Sequence, residues 1–185
     1  KLLLDPYGRG LAGGVDIRPE VYAHQVDEDS YPLSYPLEPS TTDSAPFNAH
    51  SVVIDTSFRI TPQPKVPLDE TVIYELHVKG FTQNMSEVPP NLRGTYAGLA
   101  HPASVRYLKE LGVTSVELLP IHAKSDEPFL VERGLTNYWG YSTLSFFSPE
   151  PSYASAAARA RGPQAVIDEF RGMVSILHEA GIEVI

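Results

Sequence analysis

The segment TVIYELHVKGFT, residues 71–82, alternates between two kinds of side chain along its length. Its aliphatic and aromatic face consists of Val72, Tyr74, Leu76 and Val78. Its other face, which carries the charged groups, consists of Ile73, Glu75, His77 and Lys79. A period of two residues is typical of a β-strand, so the segment predicts a strand with one face against a hydrophobic layer.

Two helices and two further strands are predicted after this strand. HPASVRYLKELG (101–112) predicts a helix, because Pro102 suits the first helical position and Gly112 suits the position just past its end. VTSVELLP (113–120) predicts a second strand, GPQAVIDEFRGMVSILHEAG (162–181) a longer helix, and IEVI (182–185) a third strand. The apolar stripe of the longer helix is predicted to contain Val166, Ile167, Phe170, Val174 and Leu177.

The order strand, helix, strand, helix, strand is typical of a parallel sheet with right-handed crossovers. An open sheet and a closed barrel both fit this order. A central strand of an open sheet is apolar on both faces, whereas a barrel can hold a charged face in its interior, so the first strand favours the barrel. An edge strand with a solvated face is the alternative. In a barrel, the charged groups of the first strand and Glu117 should face inward and hydrogen-bond one another.

Residues 1–70 show little regular pattern. DPYGRG (5–10) has turn chemistry, YPLSYPLEPSTTDSAP (31–46) is rich in proline and should be extended, and SVVID (51–55) predicts a short strand. This composition favours a linker that wraps a neighbouring domain. The chain starts with Lys1 rather than Met and ends within a strand pattern, so we expect it to be a piece of a longer protein.

The composition excludes several classes of protein. The 14 basic and 23 acidic residues give a net charge of -9, which argues against nucleic acid and anionic membranes as partners. No apolar run approaches the roughly 20 residues that cross a bilayer. Without cysteine there are no disulfides or thiolate metal sites, the six histidines show no metal spacing, and no glycine-rich loop joins a strand to a helix. We therefore expect no metal and no cofactor, and a cytoplasmic protein.

The stretch NYWGYSTLSFFSPEPSYAS (137–155) carries six aromatic rings among residues that favour a loop. Either these rings pack the loop onto a core, or some of them bind a ligand with a flat apolar face. Tyr138, Trp139 and Tyr141 have the chemistry of a sugar platform, with Gly140 allowing a tight turn. The remaining rings, those of Phe146, Phe147 and Tyr153, are expected to pack. Upstream, His122 and Lys124 follow the second strand, where a barrel places its active site, but a solvated polar loop is the favoured interpretation. Asp126–Glu127 predicts an exposed turn.

Four stretches resemble the α-amylase family of glycoside hydrolases, and within it they are most similar to bacterial glycogen debranching enzymes of the isoamylase type. They are DETVIYELHVKGFTQ (69–83), RGTYAGLAHPASVRYLKELGVTSVELLPIHA (93–123), LVERGLTNYWGYSTLSFFSPEPSYAS (130–155) and FRGMVSILHEAGIEVI (170–185). Two earlier stretches, KLLLDPYGRG (1–10) and SAPFNAHSVVID (44–55), resemble the segment that joins the family's N-terminal β-sandwich to its barrel.

The resemblance implies an α/β fold in which residues 71–185 form the first two and a half βα units of a (β/α)8 TIM barrel. Residues 1–70 would then be the end of the β-sandwich domain and an irregular, proline-rich linker. The family cleaves by a retaining mechanism that uses two carboxyl groups about 5–5.5 Å apart. In the family these groups follow later strands, so the resemblance implies no catalytic residue within residues 1–185.

The same resemblance implies an α-glucan partner, namely glycogen, limit dextrin or malto-oligosaccharide, and hydrolysis of α-1,6 branch linkages by the parent enzyme. Tyr141 matches the family's tyrosine that stacks on the sugar being cleaved, and Tyr138 and Trp139 match neighbouring wall positions. Two alternatives stay open: a non-catalytic glucan-binding or scaffold protein with an amylase-like barrel, or another α-glucan-acting member such as a branching or trehalose-forming enzyme.

Overall fold

A computed structural model describes residues 3–185; Lys1 and Leu2 of the predicted linker lie outside the described residues. The strands are β1 Leu11–Ala12, β2 His50–Ser51, β3 Ile73–Leu76, β4 Ser115–Leu118, β5 His122–Lys124, β6 Thr143–Pro149 and β7 Glu183–Val184. The α-helices are α1 Val78–Phe81, α2 Tyr96–Leu99, α3 Pro102–Glu110, α4 Pro128–Val131, α5 Ala156–Ala160 and α6 Pro163–Glu179. No helix within residues 3–185 is both long and apolar enough to span a membrane.

A parallel sheet with the strand order β3-β4-β7 forms the centre of the fold. Ile73 pairs with Ser115 at the start of β3, and Ser115 pairs in turn with Glu183 of β7. Helix α3 lies in the connection from β3 to β4, and α6 lies in the connection from β4 to β7. The predicted order of strands and helices is therefore confirmed, and the fold is of the α/β class.

Strand β3 ends at Leu76, six residues before the end of the segment that predicts it. His77 stops the strand because its ring accepts hydrogen bonds from the backbone of the next turn, which begins α1. Lys79 consequently lies in a helix rather than on the charged face of a strand. No hydrogen bond joins the side chains of Glu75, His77 and Lys79 to one another, so that prediction is wrong, although Glu75 does lie beside Glu117 in the register of β3 and β4.

Helix α6 covers the sheet with the face that its sequence predicts, whereas α3 buries Ala103, Ser104 and Leu108 and leaves Leu111 exposed. Pro102 and Pro163 begin the helices, and Gly112 and Gly181 follow their ends with φ of +81° and +83°. The buried residues of α6 are Val166, Ile167, Met173, Val174 and Leu177. Phe170 is only partly buried against the same core, and Met173 completes the stripe in its place. A fully buried aliphatic side chain contributes roughly 1.5–3 kcal/mol, so this face holds α6 in position.

The aromatic stretch is not a simple loop, because it contains β6, which runs antiparallel to β5. Pairing is irregular: His122 pairs with Pro149 and Ala123 with Ser145, so one step along β5 spans four residues of β6. A bulge of this kind breaks the alternation of faces and leaves Phe146 and Phe147 68% and 60% exposed. The expectation that both phenylalanines pack is therefore wrong, whereas the packing of Tyr153 is confirmed.

Among their described positions, the first seventy residues hold two-residue strands, short 3-10 turns and two isolated antiparallel β-bridges. β1 pairs antiparallel with β2, which covers only the first residue of the predicted strand SVVID. Residues 55–66, here named the strap, run along α6 without secondary structure of their own. The strap bonds the helix through Asp55 N to Gln164 Oε1 (2.8 Å) and Thr61 N to Ser175 Oγ (3.0 Å).

Candidate functional site

The segment Asn137–Tyr141, here named the aromatic turn, is organised by the side chain of Asn137. Asn137 is buried, and its Oδ1 accepts a hydrogen bond from Gly140 N at 2.8 Å, which closes the turn. Gly140 adopts a φ of +84°, and a Cβ at this position would lie 3.1 Å from the backbone oxygen of Pro120. The turn therefore requires both an amide side chain at its start and glycine near its end.

Two carboxylates hold Asn137 from the β5 side. Asp126 Oδ1 accepts from Asn137 N at 2.7 Å, and Glu127 Oε1 accepts from Asn137 Nδ2 at 3.0 Å. Lys124 Nζ lies 3.2 Å from Asp126 Oδ1, with its side chain only 9% exposed. The expectation of an exposed Asp126–Glu127 turn after a solvated polar loop is therefore wrong: these groups anchor the aromatic turn.

The ring of His77 lies under Tyr138. Its Nδ1 accepts from Lys79 N at 3.0 Å and Gly80 N at 3.3 Å, so the hydrogen of the neutral ring is assigned to Nε2. Nε2 then donates to the backbone oxygen of Tyr138 at 2.7 Å. The two rings stack with centroids 4.3 Å apart, and a Cβ on Gly80 would come within 2.5 Å of the Tyr138 hydroxyl. The carboxyl end of β3 thus supports the turn directly.

Tyr153 completes the support from below. Its hydroxyl lies 3.3 Å from His77 Nε2 and 3.5 Å from the Tyr138 backbone oxygen. Burial, with a smaller contribution from the nearby Glu150 carboxylate, raises the pKa of Tyr153 to about 12. Burial, followed by the same carboxylate, raises the pKa of Tyr96 well above its ordinary value. Both phenols therefore stay neutral and serve as hydrogen-bond donors around the turn.

Glu150 joins the end of β6 to β5. Its Oε2 accepts from Lys124 N and its Oε1 from Ser152 N, both at 3.0 Å. The Tyr96 hydroxyl donates to the backbone oxygen of Glu150, also at 3.0 Å. A cavity of about 150 Å³ lies between this residue and the turn, and Lys79 and Tyr138 line it as well. The carboxylate is thereby used for positioning the backbone.

Three aromatic side chains project from this framework into solvent. Tyr138, Trp139 and Tyr141 are 45%, 59% and 70% exposed. The ring of Trp139 stands edge-on to that of Tyr138 at 5.7 Å, with an angle of 82° between the planes. Apolar ring faces beside phenol and indole donors suit a ligand that alternates C–H faces with hydroxyl groups. Within residues 3–185, no group of three or more His, Cys, Asp or Glu side chains is placed to hold a metal ion.

Sequence reasoning singled out the three exposed rings and Gly140 but missed the residues that hold them. The turn-closing role of Asn137 could have been predicted, since asparagine at the start of a tight turn commonly bonds the backbone two or three residues later. His77 was assigned to a strand face, and its role as a cap with a bond to Tyr138 depends on two segments 61 residues apart. No local pattern reports such a contact.

Comparisons with known proteins cover the whole chain. The glycogen operon protein GlgX homolog of Mycobacterium tuberculosis is 46% identical over 190 residues, which span 100% of this chain and 25% of that protein. The glycogen debranching enzyme of Salmonella typhi is 42% identical over 187 residues, again 100% of this chain and 26% of that protein. The chain therefore spans about a quarter of the length of these relatives.

A solved structure also matches. The pullulanase of Anoxybacillus sp. LM18-11, determined in complex with maltotetraose, matches 98% of this chain and 23% of its own with a TM-score of 0.60. Sequence identity over this match is 22%, so the match supports a shared fold and nothing more specific. No protein-family model matches the chain.

Proposed function

Because the chain is homologous over its whole length to bacterial glycogen debranching enzymes and GlgX homologues, we propose that the protein carrying it hydrolyses α-1,6-glucosidic branch linkages. Its substrates are glycogen and limit dextrin, and malto-oligosaccharides are ligands of the same site. The reaction retains anomeric configuration, as in glycosidases with a carboxylate nucleophile and a carboxylic general acid. The cytoplasm, where soluble glycogen metabolism takes place, is the proposed compartment.

The aromatic turn is the observation that carries this proposal. Three rings are exposed at one turn, which is closed by its own Asn137 and is contacted by His77 and Tyr153 from other parts of the fold. Large exposed rings lose favourable burial, so a framework dedicated to presenting them supports a binding role. We assign Tyr141, the most exposed of the three, to stacking on the glucose unit at the cleavage point. Tyr138 and Trp139 form the adjacent wall.

The proposal extends to the architecture of the parent enzyme. Residues 71–185 supply the first two and a half βα units of a (β/α)8 barrel, and residues 1–70 connect them to a preceding β-sandwich. We place the catalytic carboxylates outside residues 1–185. In support, the carboxylates near the turn each accept framework hydrogen bonds: Asp126 from Asn137 N, Glu127 from Asn137 Nδ2, and Glu150 from two backbone N–H groups.

Incubation of the complete gene product with pullulan and with glycogen limit dextrin tests the activity. Release of maltotriose from pullulan, or of linear chains from limit dextrin, is the expected result. Absence of both products refutes the proposal. If the protein is retained by glycogen yet releases nothing, the non-catalytic glucan-binding alternative is correct instead. Transfer of chains without net hydrolysis would identify a branching enzyme.

Substitution of Tyr141 tests the assigned role separately. Tyr141→Ala removes the ring and should lower kcat/KM on limit dextrin at least about tenfold, whereas Tyr141→Phe keeps the apolar face and should stay within about threefold. Because this side chain forms no hydrogen bond with other residues in the described part of the chain, neither change should alter the melting temperature. Equal activity of the two variants would remove Tyr141 from the site.

A further inference from the structure

A second pair of exposed rings lies outside the aromatic turn. Tyr7 is 77% exposed and Phe147 is 60% exposed, and their ring planes are within 16° of each other with centroids 6.3 Å apart. This spacing is within the range of offset-stacked aromatic pairs. Neither ring belongs to the buried core, so the pair forms a two-ring surface that faces solvent.

The position of Tyr7 is set by a turn that is docked on β6. Gly8 N donates to Asp5 O and Tyr7 N to Asp5 Oδ1, both at 3.0 Å, which closes the turn Asp5–Gly8. The backbone oxygen of Gly8 then accepts from two buried serine hydroxyls, Ser148 Oγ at 2.8 Å and Ser145 Oγ at 3.2 Å. A tight turn is thus tied to the strand that carries Phe147, over a separation of 140 residues for Ser148.

Phe147 faces solvent because of the bulge in β6. Ser145 and Ser148 point into the protein and bond each other at 3.2 Å, so the two residues between them are displaced outward. The same two serines that fix Tyr7 therefore expose Phe147. The pair is preorganised, which lowers the entropy lost when a ligand orders the rings.

Polar groups flank the pair on the Tyr7 side. A groove of about 290 Å³ begins at Tyr7 and is lined by Asp5, Arg9 and Ser51 among others. Arg9 is exposed and forms no ion pair with any of residues 3–185. A flat apolar platform beside a guanidinium, a carboxylate and a hydroxyl matches the two faces of a glucose unit, with its C–H patch and its ring of hydroxyls.

We propose that Tyr7 and Phe147, with Asp5 and Arg9 at the edge of the groove, form a second α-glucan-binding site. The site shares no residue with the aromatic turn. This inference rests on the proposed function, because it takes the ligand to be the branched glucan that the enzyme cleaves. A polymer held at one site raises the local concentration of its other branches at the active site. An oligosaccharide that occupies the aromatic turn alone gains nothing from the second site.

Native gel electrophoresis of the complete gene product in gels that contain glycogen measures the proposed site. The double variant Tyr7→Ala/Phe147→Ala should bind glycogen about tenfold more weakly, corresponding to the loss of two ring contacts. Tyr31→Ala is the matched control, since Tyr31 is also a tyrosine in the N-terminal segment, is 69% exposed, and contacts no other ring among residues 3–185. Its mobility should equal that of the wild type.

Kinetics on substrates of two sizes complete the test. The double variant should lose kcat/KM on glycogen by a similar factor and keep the wild-type value on a branched dextrin of a few glucose units. Wild-type mobility of the double variant in glycogen gels would overturn the inference. Loss on the small substrate together with a lower melting temperature would overturn it too, because the pair would then be a structural contact.

Gel retention also keeps this inference separate from the proposed activity. If the complete gene product fails to cleave α-1,6 linkages but is retarded by glycogen through Tyr7 and Phe147, the activity is wrong and the second site stands. If it cleaves the linkages and the double variant is retarded like the wild type, the activity stands and the second site is wrong.

Discussion

His77 donates its Nε2 hydrogen to the backbone oxygen of Tyr138 over 2.7 Å, and the two rings stack with centroids 4.3 Å apart. This contact joins the carboxyl end of β3 to the aromatic turn. The orientation of an exposed ring surface is thereby controlled by a buried residue that directly follows a strand of the central sheet. The position of Tyr138 relative to the β-strands should be sensitive to His77 and insensitive to changes on the outer face of the turn.

Replacement of His77 by alanine should destabilise the complete gene product by about 2 kcal/mol, because Lys79 N loses its acceptor and Tyr138 O loses its shorter hydrogen bond. Gly80 N keeps its bond to the backbone oxygen of residue 77, and the Tyr153 hydroxyl stays 3.5 Å from Tyr138 O. Urea unfolding measures the loss. KM for limit dextrin should rise as well, since the turn loses its support. His77→Gln, which keeps an acceptor and a donor, should recover part of both effects. A His77→Ala variant with wild-type stability would show that the contact is incidental.

Replacement of Asn137 by alanine should raise KM for limit dextrin and lower stability by about 1–3 kcal/mol, because the buried N–H of Gly140 loses its acceptor. Asn137→Asp keeps that acceptor but places a third carboxylate beside Asp126 and Glu127. At neutral pH it should therefore raise KM and lower stability at least as much as Asn137→Ala does. Steady-state kinetics and thermal melts provide the measurements. Thr136→Ala, at the exposed neighbouring position, is the control and should behave as the wild type.

Much of the fold follows from local patterns. The helices α3 and α6 begin at proline and end before glycine as predicted, and β4 and β7 lie within the segments that predict them. These features depend on side-chain periodicity and on backbone geometry, both of which are local. β3 is shorter than predicted because one histidine serves as a cap, and β6 was missed because its bulge destroys the alternation that marks a strand.

The candidate site was likewise predictable only where it depends on local sequence. Exposed rings in a turn are visible in the sequence as NYWGY, whereas the contacts of Asp126 and Tyr153 with the turn arise only when β5, β6 and the turn meet. Glu150 illustrates the difference, since nothing in SPEPSYAS distinguishes a buried positioning carboxylate from a solvated one. Its burial follows from the contacts of its two oxygens with Lys124 N and Ser152 N.

Two glycines should respond to alanine in opposite directions. A Cβ on Gly98 in α2 would lie 2.1 Å from the backbone oxygen of Leu92, which cannot move aside as a side chain can, so Gly98→Ala should cost about 3 kcal/mol. Gly172 lies within α6 with open space at its Cβ position, so Gly172→Ala should stabilise by about 0.5–1 kcal/mol. Melting temperatures of the two variants should fall on either side of the wild type. A gain for Gly98→Ala would contradict the close approach of α2 to Leu92.

The stability contributed by Glu183 should depend on pH. The Ser115 hydroxyl, and after it the backbone N–H of Val66, lower the pKa of Glu183 below its ordinary value. Because the folded state holds the carboxylate ionised more strongly than the unfolded state does, this contribution is present above about pH 4.3 and is lost as the pH falls through the lowered pKa. At neutral pH the wild-type protein should have a higher melting temperature than Glu183→Gln, and this difference should shrink on acidification. If the difference in melting temperature stayed constant from neutral pH to pH 3, the ionisation of Glu183 would make no contribution to stability.

The strap has a consequence for exchanging parts between related enzymes. Its backbone groups find their partners on a single helix and the strand that follows: Thr61 O lies 2.6 Å from His178 Nδ1, and Val66 N donates to Glu183 Oε1 at 3.1 Å. A chimaera that imports α6 and β7 from a homologue while keeping the resident residues 55–66 mixes two halves of one interface. Crossover points in such recombinants should therefore move both segments together, although more than a hundred residues separate them in the gene.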